Sequence, residues 1–472
     1  MRAVLAQGYP LEPRATQRRP YRGARGVVPP GQHVIVADLG YGDAGKGGIV
    51  DWLCSHHNPS KGPACTVVRY NGGAQAAHNV VTGDGRWHTF AQFGSGTLRG
   101  GTRTFLSRYM MVDPLAMAGE AAHLSALGLA SPFGLVAVDQ DALLTTPYHQ
   151  AANRARERAR GAGRHGSCGM GIGETAAYAL ARPADAPRAG DCLAASTLLR
   201  KLTVLRDWLR DESGLVGVAE VPPPAVVADA YRAWADRVTI TRDGYLASLL
   251  RQPGSVVFEG AQGVLLDEWR GFHPYTTWST TTFENAEMLL REAGTTREAL
   301  RVGVTRAYQT RHGPGPFVTA DPTLELPEPH NRGGQWQGPV RVGHLDAVAL
   351  RYAIEVCGGI DAVALTHLDT AREHAGELRI CRAYRVGERG LTDRLVPGPQ
   401  RDLAYQERLT SMLLAARPVY SGAPVSDGDW CDAVAEVAGA PVALRSYGPA
   451  ATAKLSTAKA GILQAASAAG WR

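Results

Sequence analysis

The sequence predicts an α/β fold with a large, mostly parallel sheet and surrounding helices. Short apolar runs alternate along the chain with longer Ala/Arg/Leu-rich stretches, which is typical of strands linked by crossover helices. The first apolar run, His33 to Ala37, leads directly into a glycine-rich loop, as a buried parallel strand before a phosphate-binding loop would. With 472 residues, 44% of them hydrophobic, the chain can bury a substantial core.

The remaining elements follow from the same alternation. We expect further strands at 65–69, 135–138, 255–258, 302–307 and 361–365. A helix is expected behind the glycine loop, around 49–53. Other helices are expected at 114–127, 147–161, 194–212, 226–236, 284–293 and 344–356.

The domain organisation is predicted to be simple, since the sequence has no internal repeat and no clean linker. Residues 32–450 are expected to form a single domain. Residues 1–31 are rich in Pro and Arg and bury little, so we expect a disordered extension, with a tail that binds nucleic acid or a partner as the alternative. Residues 451–472 are Ala-rich and are expected to form a frayed tail or terminal helix.

Composition limits the possible functions. The net charge of +6 suits anionic small molecules such as nucleotides, but it is too mild to indicate nucleic-acid binding. Seven scattered cysteines without a CxxC motif indicate a reducing cytoplasm and neither a disulfide framework nor a zinc site. No apolar run approaches the ~20 residues of a membrane span, so we expect a cytoplasmic protein without membrane contact.

The glycine loop, residues 40–48, carries the strongest chemical signal. Its glycines let backbone N–H groups approach phosphate oxygens, and the next helix adds its positive N-terminal end. Gly40, Gly45 and Lys46 fit the P-loop spacing, with Lys46 placed to reach terminal phosphates. Gly47 stands where a P-loop has the Ser/Thr that binds Mg²⁺, so a carboxylate must serve, and Asp43 is the candidate. An ordinary glycine turn is the alternative.

Several blocks of sequence resemble the adenylosuccinate synthetase family, in the family's order, from about residue 33 to 450. The loop Tyr41-Gly-Asp-Ala-Gly-Lys-Gly-Gly48 is similar to the family's Trp-Gly-Asp-Glu-Gly-Lys-Gly-Lys. Further blocks are 67–73 leading to Ala77-His78, 94–96, 166–173, 258–263, 306–311, 315–317, 343–346, 366–369 and Gly448-Pro449.

The resemblance implies a ligase that transfers the γ-phosphoryl of GTP to the 6-oxo group of IMP, after which an amine displaces phosphate. Asp43 matches the family's base and magnesium ligand, and His78 its acid. Gln262 matches the glutamine near the 6-oxygen, and Lys46 belongs to the phosphate loop. Mg²⁺ is therefore the expected cofactor and GTP the expected co-substrate.

The resemblance also assigns binding residues. In the GTP site, the Asp369 carboxylate would accept hydrogen bonds from two guanine N–H groups. The full set of GTP-site residues would be Gly42, Gly45, Lys46, Gly47, His78, Asp369, Ser446, Gly448 and Pro449. The acceptor nucleotide site would comprise Asp43, Gln75, Ser167, Cys168, Arg182, Gln262 and Thr277. Arg182 matches an arginine that reaches in from a second subunit, which implies a homodimer; a solvated helix arginine is the alternative. Ala77 stands at the family's second magnesium position.

Most differences from the family's sequence motifs lie in the loop that is expected to bind the amine substrate. The loop that grips aspartate has lost two arginines, and the stretch here contains Gln335, Trp336, Gln337 and Arg341. Losing a charge-assisted pair costs a carboxylate about 2 kcal/mol or more of binding, so aspartate is a doubtful nucleophile unless Arg332 or Arg341 compensates. On the acceptor and GTP sides, family residues are replaced by Gln75, Ala77, Cys168, Met170, His367, Ala44 and Gly48.

Three functions remain open at this point. The first is a GTP-dependent ligase that joins an amine other than aspartate to an oxo-purine or related nucleotide. The second is an ordinary adenylosuccinate synthetase with a divergent aspartate loop. The third is an inactive paralogue that binds nucleotide as a sensor or partner, against which Asp43, Lys46 and His78 all argue.

Overall fold

A computed structural model describes residues 33–55, 65–164, 166–213, 221–252, 254–295, 299–329, 331, 336–388 and 390–457. Within these ranges the fold is mixed α/β. The predicted extension at 1–31 lies outside the described residues, as does the C-terminal segment from 458. None of the described helices has the length and hydropathy needed to cross a membrane.

The strands form one large sheet and several small ones. In chain order they are β1 (Val34–Asp38), β2 (Thr66–Arg69), β3 (His78–Val81), β4 (Trp87–Phe90), β5 (Arg103–Leu106), β6 (Met111–Val112), β7 (Val136–Asp139), β8 (Leu143–Leu144), β9 (Thr239–Thr241), β10 (Val256–Glu259), β11 (Leu300–Arg306), β12 (Tyr308–His312), β13 (Val340–Asp346), β14 (Ala362–Thr366), β15 (Ile380–Val386), β16 (Gly390–Thr392), β17 (Arg417–Ser421), β18 (Val442–Ser446) and β19 (Lys454–Ser456).

The large sheet has the order β19-β18-β14-β11-β1-β10-β2-β5-β7-β9. All of its neighbours are parallel except β18 and β19, which are antiparallel. β1 and β14 are buried along their whole length, as expected for strands covered by helices on both faces. A second sheet contains β12, β13, β15, β16 and β17.

The helices connect and cover these strands. They are α1 (Lys46–Ser55), α2 (Pro114–Ala126), α3 (Pro147–Ala159), α4 (Ile172–Ala181), α5 (Ala195–Ser213), α6 (Pro224–Ala235), α7 (Tyr245–Arg251), α8 (Glu284–Glu292), α9 (Ala347–Val356), α10 (Leu368–Glu373), α11 (Leu403–Ala415) and α12 (Asp427–Ala438). Local sequence sets several starts: Asp113 caps α2 and Thr146 caps α3, each followed by a proline whose missing N–H is not needed there.

The mostly parallel sheet confirms the predicted fold class. The ends of most predicted elements differ by a few residues from the observed ones, and two segments adopt a different type of structure from the one predicted. Residues 344–346, predicted as helix, end strand β13, and α9 begins only after its cap Asp346. Pairing with β12 and β15 holds these residues extended, an influence that helical periodicity does not report. Residues 454–456, predicted as tail, form edge strand β19 against β18.

The topology brings functional segments to one edge of the sheet. The carboxyl ends of parallel strands meet there, and β1, β10, β14 and β18 all end at this edge. The segments that follow these strands contain the glycine loop, Gln262, Asp369 in the first turn of α10, and Gly448. Such an edge is where ligands bind in open α/β sheets.

Candidate functional site

The glycine loop is shaped by Asp38, the last residue of β1. Its carboxylate accepts backbone hydrogen bonds from Gly40 (2.8 Å), Gly42 (3.3 Å) and Ala44 (2.7 Å). Gly42 and Gly45 have φ values of 115° and 90°, backbone conformations that residues other than glycine rarely adopt. A buried carboxylate therefore fixes the turn that the sequence predicted from its glycines alone.

Lys46 is buried within this loop. Its Nζ donates to Asp38 Oδ2 (3.1 Å) and to the Gly42 carbonyl (2.8 Å). The lysine charge is thus paired inside the loop and lies at the N-terminus of α1, where a helix attracts anions.

Gly47 lets His78 approach the loop. A Cβ added at Gly47 would lie 2.8 Å from the Cβ of His78, so a larger residue would displace the histidine. The structure thus brings Lys46, Gly47 and His78 together, as the resemblance implied.

His78 is held by Glu259, the last residue of β10. The distance from His78 Nδ1 to Glu259 Oε1 is 2.7 Å, and both side chains are buried. Ser95 adds a backbone N–H bond to Glu259 Oε2 (3.0 Å) and a hydroxyl bond to Oε1. This network fixes the orientation of the imidazole ring.

The charges in this network are well defined. Burial lowers the pKa of His78 to about 4, despite the opposing hydrogen bond and charge of Glu259. Burial alone would raise the pKa of Glu259, but the Arg69 charge and the His78 hydrogen bond lower it to about 2. At neutral pH a neutral His78 therefore donates from Nδ1 to an ionised Glu259.

Asp43 projects from the loop toward a set of polar side chains. His312 Nε2 lies 3.1 Å from its Oδ2, the Thr310 hydroxyl donates to Oδ2 at 3.4 Å, and Arg306 donates to its backbone carbonyl (3.3 Å). Burial alone would raise the pKa of Asp43, but the hydrogen bond and charge of His312 outweigh it and lower the pKa. Asp43 is ionised at neutral pH.

The acceptor side of the site contains two buried amides. Gln262 has a φ of 56° and its Cα lies 3.3 Å from where a Gly42 Cβ would be, so it packs directly on the glycine loop. Its Oε1, and both polar atoms of Gln75, are buried and have no hydrogen-bond partner within the described residues. Unsatisfied buried amides suit a polar ligand.

The guanine side gathers the residues expected there. Gly448 lies beside Asp369, since a Cβ added at Gly448 would be 3.9 Å from Asp369 Oδ2. Asp369 Oδ1 is buried and lacks a partner among the described residues. The Ser446 hydroxyl donates to the Gly448 carbonyl (3.2 Å), and Pro449 follows in the same turn.

His367 closes the guanine side against the phosphate loop. It adopts a left-handed conformation (φ 60°), its Nδ1 contacts Thr366 Oγ1 at 2.9 Å, and its ring packs edge-on against Tyr308. Burial lowers its pKa well below the usual value, so the ring is neutral. A flat neutral ring thus stands where the family has a lysine.

The predicted nucleophile loop comprises residues 335–341, and its described part, from Trp336, lies against the 166–171 segment. Trp336 covers Gly169, with the guanidinium of Arg158 5.4 Å above its ring. A Cβ added at Gly166 would lie 3.3 Å from the Gln337 carbonyl oxygen, and one added at Gly313 would lie 2.5 Å from it. Gln335 lies outside the described residues, as does Arg332. The described part of the loop therefore presents an aromatic ring next to the predicted acceptor segment.

Arg341 is engaged by its own scaffold. Its Nη2 donates to the carbonyls of Gly313 (2.6 Å) and Gly315 (3.0 Å), and its guanidinium stacks over Phe317 at 5.6 Å. Burial lowers its pKa. Nη2 of the guanidinium therefore holds the loop at 313–315.

The remaining predicted acceptor residues lie less centrally. Ser167 accepts a hydrogen bond from Asn153 (2.9 Å), and Cys168 is half-buried beside it. The Thr277 backbone N–H donates to Leu266 (2.8 Å). Arg182 is exposed and lines a surface cavity with Trp208, apart from the loop contacts described above.

Sequence reasoning assigned no role to Asp38, Glu259, His312 or Arg306. Asp38 and Glu259 are acids at the ends of apolar strands, and a charged residue in a buried strand is a signal that points to a site. His312 gave no such signal, because its contact with Asp43 joins residues far apart in sequence.

The residues present fit a magnesium ion. Mg²⁺ binds through one or two carboxylates together with substrate phosphates and water. Asp43 supplies an ionised carboxylate, and Ala77 is an exposed residue next to His78. The described residues contain no cluster of three or more His, Cys, Asp or Glu that could hold a metal by themselves. This donor set matches a metal shared with nucleotide phosphates.

Comparisons with known proteins identify the family that this chain resembles. Residues 35–454 match the family model for adenylosuccinate synthetase. An adenylosuccinate synthetase of Anaeromyxobacter sp. (strain K) is 35% identical over 71% of this chain and 77% of its own length. One from Neisseria meningitidis is 31% identical over 89% of this chain and 96% of its own length.

Two solved structures share the fold. The structure of fully ligated adenylosuccinate synthetase from Plasmodium falciparum superposes with a TM-score of 0.75 at 21% identity, over 90% of this chain and all of that one. The succinoaminodeoxyadenylate synthetase of cyanophage S-2L, bound to dGMP and to dATP as an energy donor, gives a TM-score of 0.55 at 17% identity, over 93% and 99% of the two chains. The family match, the curated relatives and the shared fold lead to one assignment: the chain belongs to the adenylosuccinate synthetase family of GTP-dependent carbon–nitrogen ligases.

Proposed function

We propose that this protein uses GTP to phosphorylate the oxo group of a purine or related oxo-heterocycle nucleotide and then replaces it with an amine other than aspartate. The observation that carries the choice of amine is the engagement of Arg341, whose Nη2 is committed to the Gly313 and Gly315 carbonyls. With Nη2 of Arg341 engaged in this way, a dicarboxylate would lack this nitrogen as a charge-assisted partner.

The chemistry of the first step follows from residues around the glycine loop. Asp43 accepts the proton of the ring N–H of the acceptor. The electron pair of that N–H bond shifts through the ring to the oxo oxygen, which attacks the γ-phosphorus as the bond between this phosphorus and GDP breaks. Mg²⁺, held by Asp43 and the Ala77 carbonyl with the phosphates, would neutralise developing charge. Gln262 and Gln75 orient the acceptor through their buried amides.

His78 serves the phosphoryl group in this proposal. Its Nδ1–H is directed to Glu259, so Nε2 is the atom left for the ligand. The negative charge of the transferring phosphoryl would add to that of Glu259 and raise the imidazole pKa once substrate is bound, which favours the protonated ring that can donate from Nε2. Ser95 and Glu259 keep the ring in place as this charge changes.

GTP is the proposed phosphoryl donor. The unpartnered Oδ1 of Asp369 is an acceptor without a donor, and guanine N1–H and N2–H supply two donors that adenine lacks in this arrangement. We further propose a homodimer in which Arg182 of one subunit reaches the acceptor phosphate of the other. Its exposure at the end of α4 is compatible with that role.

An ordinary adenylosuccinate synthetase is the second candidate, favoured by 31% identity over nearly the full length of the Neisseria enzyme. The test is turnover of GTP with Mg²⁺ and IMP, with and without aspartate, following GDP and new nucleotides by mass spectrometry. The same assay is repeated with dGMP and other oxo-nucleotides, and with a panel of amines.

We expect GDP and phosphate release that requires both an acceptor and an amine, with no adenylosuccinate from aspartate. Asp43→Ala and His78→Ala should abolish it. Aspartate-dependent adenylosuccinate would support the second candidate instead. Tight GTP binding without turnover across the whole panel would indicate an inactive nucleotide-binding paralogue.

A further inference from the structure

Lys454 is a buried lysine that the proposed chemistry does not use. It is 6% exposed and begins the edge strand β19, paired through the sheet with Ser446. Burying an ammonium is costly unless its N–H groups find acceptors. The acceptors of these N–H groups therefore show which segment the lysine holds in place.

The ammonium of Lys454 binds one short turn three times. Nζ donates to the carbonyls of Gly448 (3.1 Å), Pro449 (3.1 Å) and Ala450 (3.0 Å). These three residues follow β18, and the first of them, Gly448, lies beside Asp369. All three lysine donors are used, and all of them fix the backbone of this turn.

Nearby charges favour the same arrangement. Burial lowers the pKa of Lys454 to about 8, while the carboxylates of Asp51 and Asp369 oppose that shift and the charge of Arg99 adds to it. Asp51 itself is paired with Arg99 at 2.6 Å. The ammonium thus lies in an environment that contains both the Asp51 and the Asp369 carboxylates.

The position of Lys454 depends on Gly48 in the first turn of α1. A Cβ added at Gly48 would lie 3.1 Å from Lys454 Nζ, 3.2 Å from its Cε and 3.2 Å from the Pro449 carbonyl. The family motif has lysine at this loop position. This chain has lost the lysine of the loop and instead brings one in from β19 to the space that glycine leaves.

We propose that Lys454 is a positioning residue of the guanine site, which fixes the Gly448–Ala450 turn against the phosphate loop and does so only because residue 48 is glycine. The proposal rests on GTP being the nucleotide that binds here. In this arrangement one lysine connects the turn beside the guanine base to the loop that binds phosphate.

The test measures nucleotide affinity directly, so it does not need the amine or the acceptor. Equilibrium binding of GTP, ITP and ATP with Mg²⁺ is measured by calorimetry for the wild type, Lys454→Met, Gly48→Ala and the double variant. Lys201→Met is the matched control, because Lys201 is also buried and donates to Ala186 (3.2 Å) and Asp191 (2.8 Å) in a different core cluster. Thermal unfolding of every variant confirms folding.

Lys454→Met should weaken GTP binding by about tenfold or more, the scale of one lost hydrogen bond to a charged group. ITP lacks the guanine 2-amino group, so its affinity should fall less and the preference for GTP over ITP should shrink. Gly48→Ala should show the same pattern, and the double variant should add little, since both changes displace one ammonium. Lys201→Met should leave the nucleotide preference unchanged.

Two results would overturn the inference while sparing the proposed function: unchanged GTP affinity in folded Lys454→Met, or equal losses for GTP, ITP and ATP. If Lys454→Met fails to fold, Lys454→Gln, which keeps a donor, and Gly48→Ala carry the same comparison. A wild type that does not bind GTP contradicts the proposed function itself.

Discussion

The phosphate side and the amine side of this site are built in different ways. Around the glycine loop, buried polar groups are paired and fixed: the Lys46 ammonium with Asp38, and the neutral His78 ring with the Glu259 carboxylate. Around the nucleophile loop, the described residues offer the Trp336 ring and Arg341, whose Nη2 donates to two carbonyls of its own scaffold. Phosphoryl transfer constrains the first region to charged groups in fixed places, whereas the second need only match whichever amine is used.

Asp43→Asn tests the phosphate side most strongly. It keeps the size of the side chain but removes the base, so we expect turnover to fall by on the order of 10³-fold. The measurement is GDP release with the best acceptor and amine. Asp84→Asn is the control, since Asp84 is an exposed carboxylate paired with Arg86. Equal losses in the two variants would contradict a special role for Asp43.

Glu259→Gln tests whether the buried pair matters for both folding and catalysis. The change removes the hydrogen bond from the neutral His78 ring to a buried carboxylate, which is worth about 1.5–3 kcal/mol of unfolding free energy, and the His78 ring loses the carboxylate that stabilises its protonated form. We expect lower stability in denaturant unfolding and a fall in kcat of roughly 10²-fold. Full activity in a destabilised variant would mean that Glu259 serves the fold alone.

Arg341→Met separates the two regions. Because Arg341 holds the Gly313 and Gly315 carbonyls, its loss should lower stability by about 2 kcal/mol and leave the KM for the amine nearly unchanged. Denaturant unfolding and amine titration measure the two quantities. A large rise in amine KM without loss of stability would show instead that Arg341 grips a carboxylate.

The pH dependence of stability sharpens the contrast further. His78 has a folded pKa of about 4, below its ordinary value of 6.5, so the unfolded chain binds more protons between these values. This histidine therefore makes stability fall as pH decreases from about 6.5 to about 4. The same fall should be shallower in His78→Gln, as measured by denaturant unfolding at each pH. An unchanged slope would contradict burial of a neutral His78.

Sequence patterns were informative where a rule is local. The buried run before the glycine loop, the helices with proline-linked caps and the alternation that gives a parallel sheet could all be predicted from neighbouring residues. The start of α9 could not, because sheet pairing extends residues 344–346.

The sequence by itself determined the fold class and the family, and the phosphate-binding role of the glycine loop stays a prediction. It also showed that the amine loop had lost arginines, since absent residues can be read directly. Only the tertiary structure decided that Arg341 is engaged, that Glu259 holds His78, that His312 meets Asp43 and that Lys454 fills the space above Gly48. Each of these contacts joins residues far apart in the chain, and no local propensity or spacing encodes the distance between them.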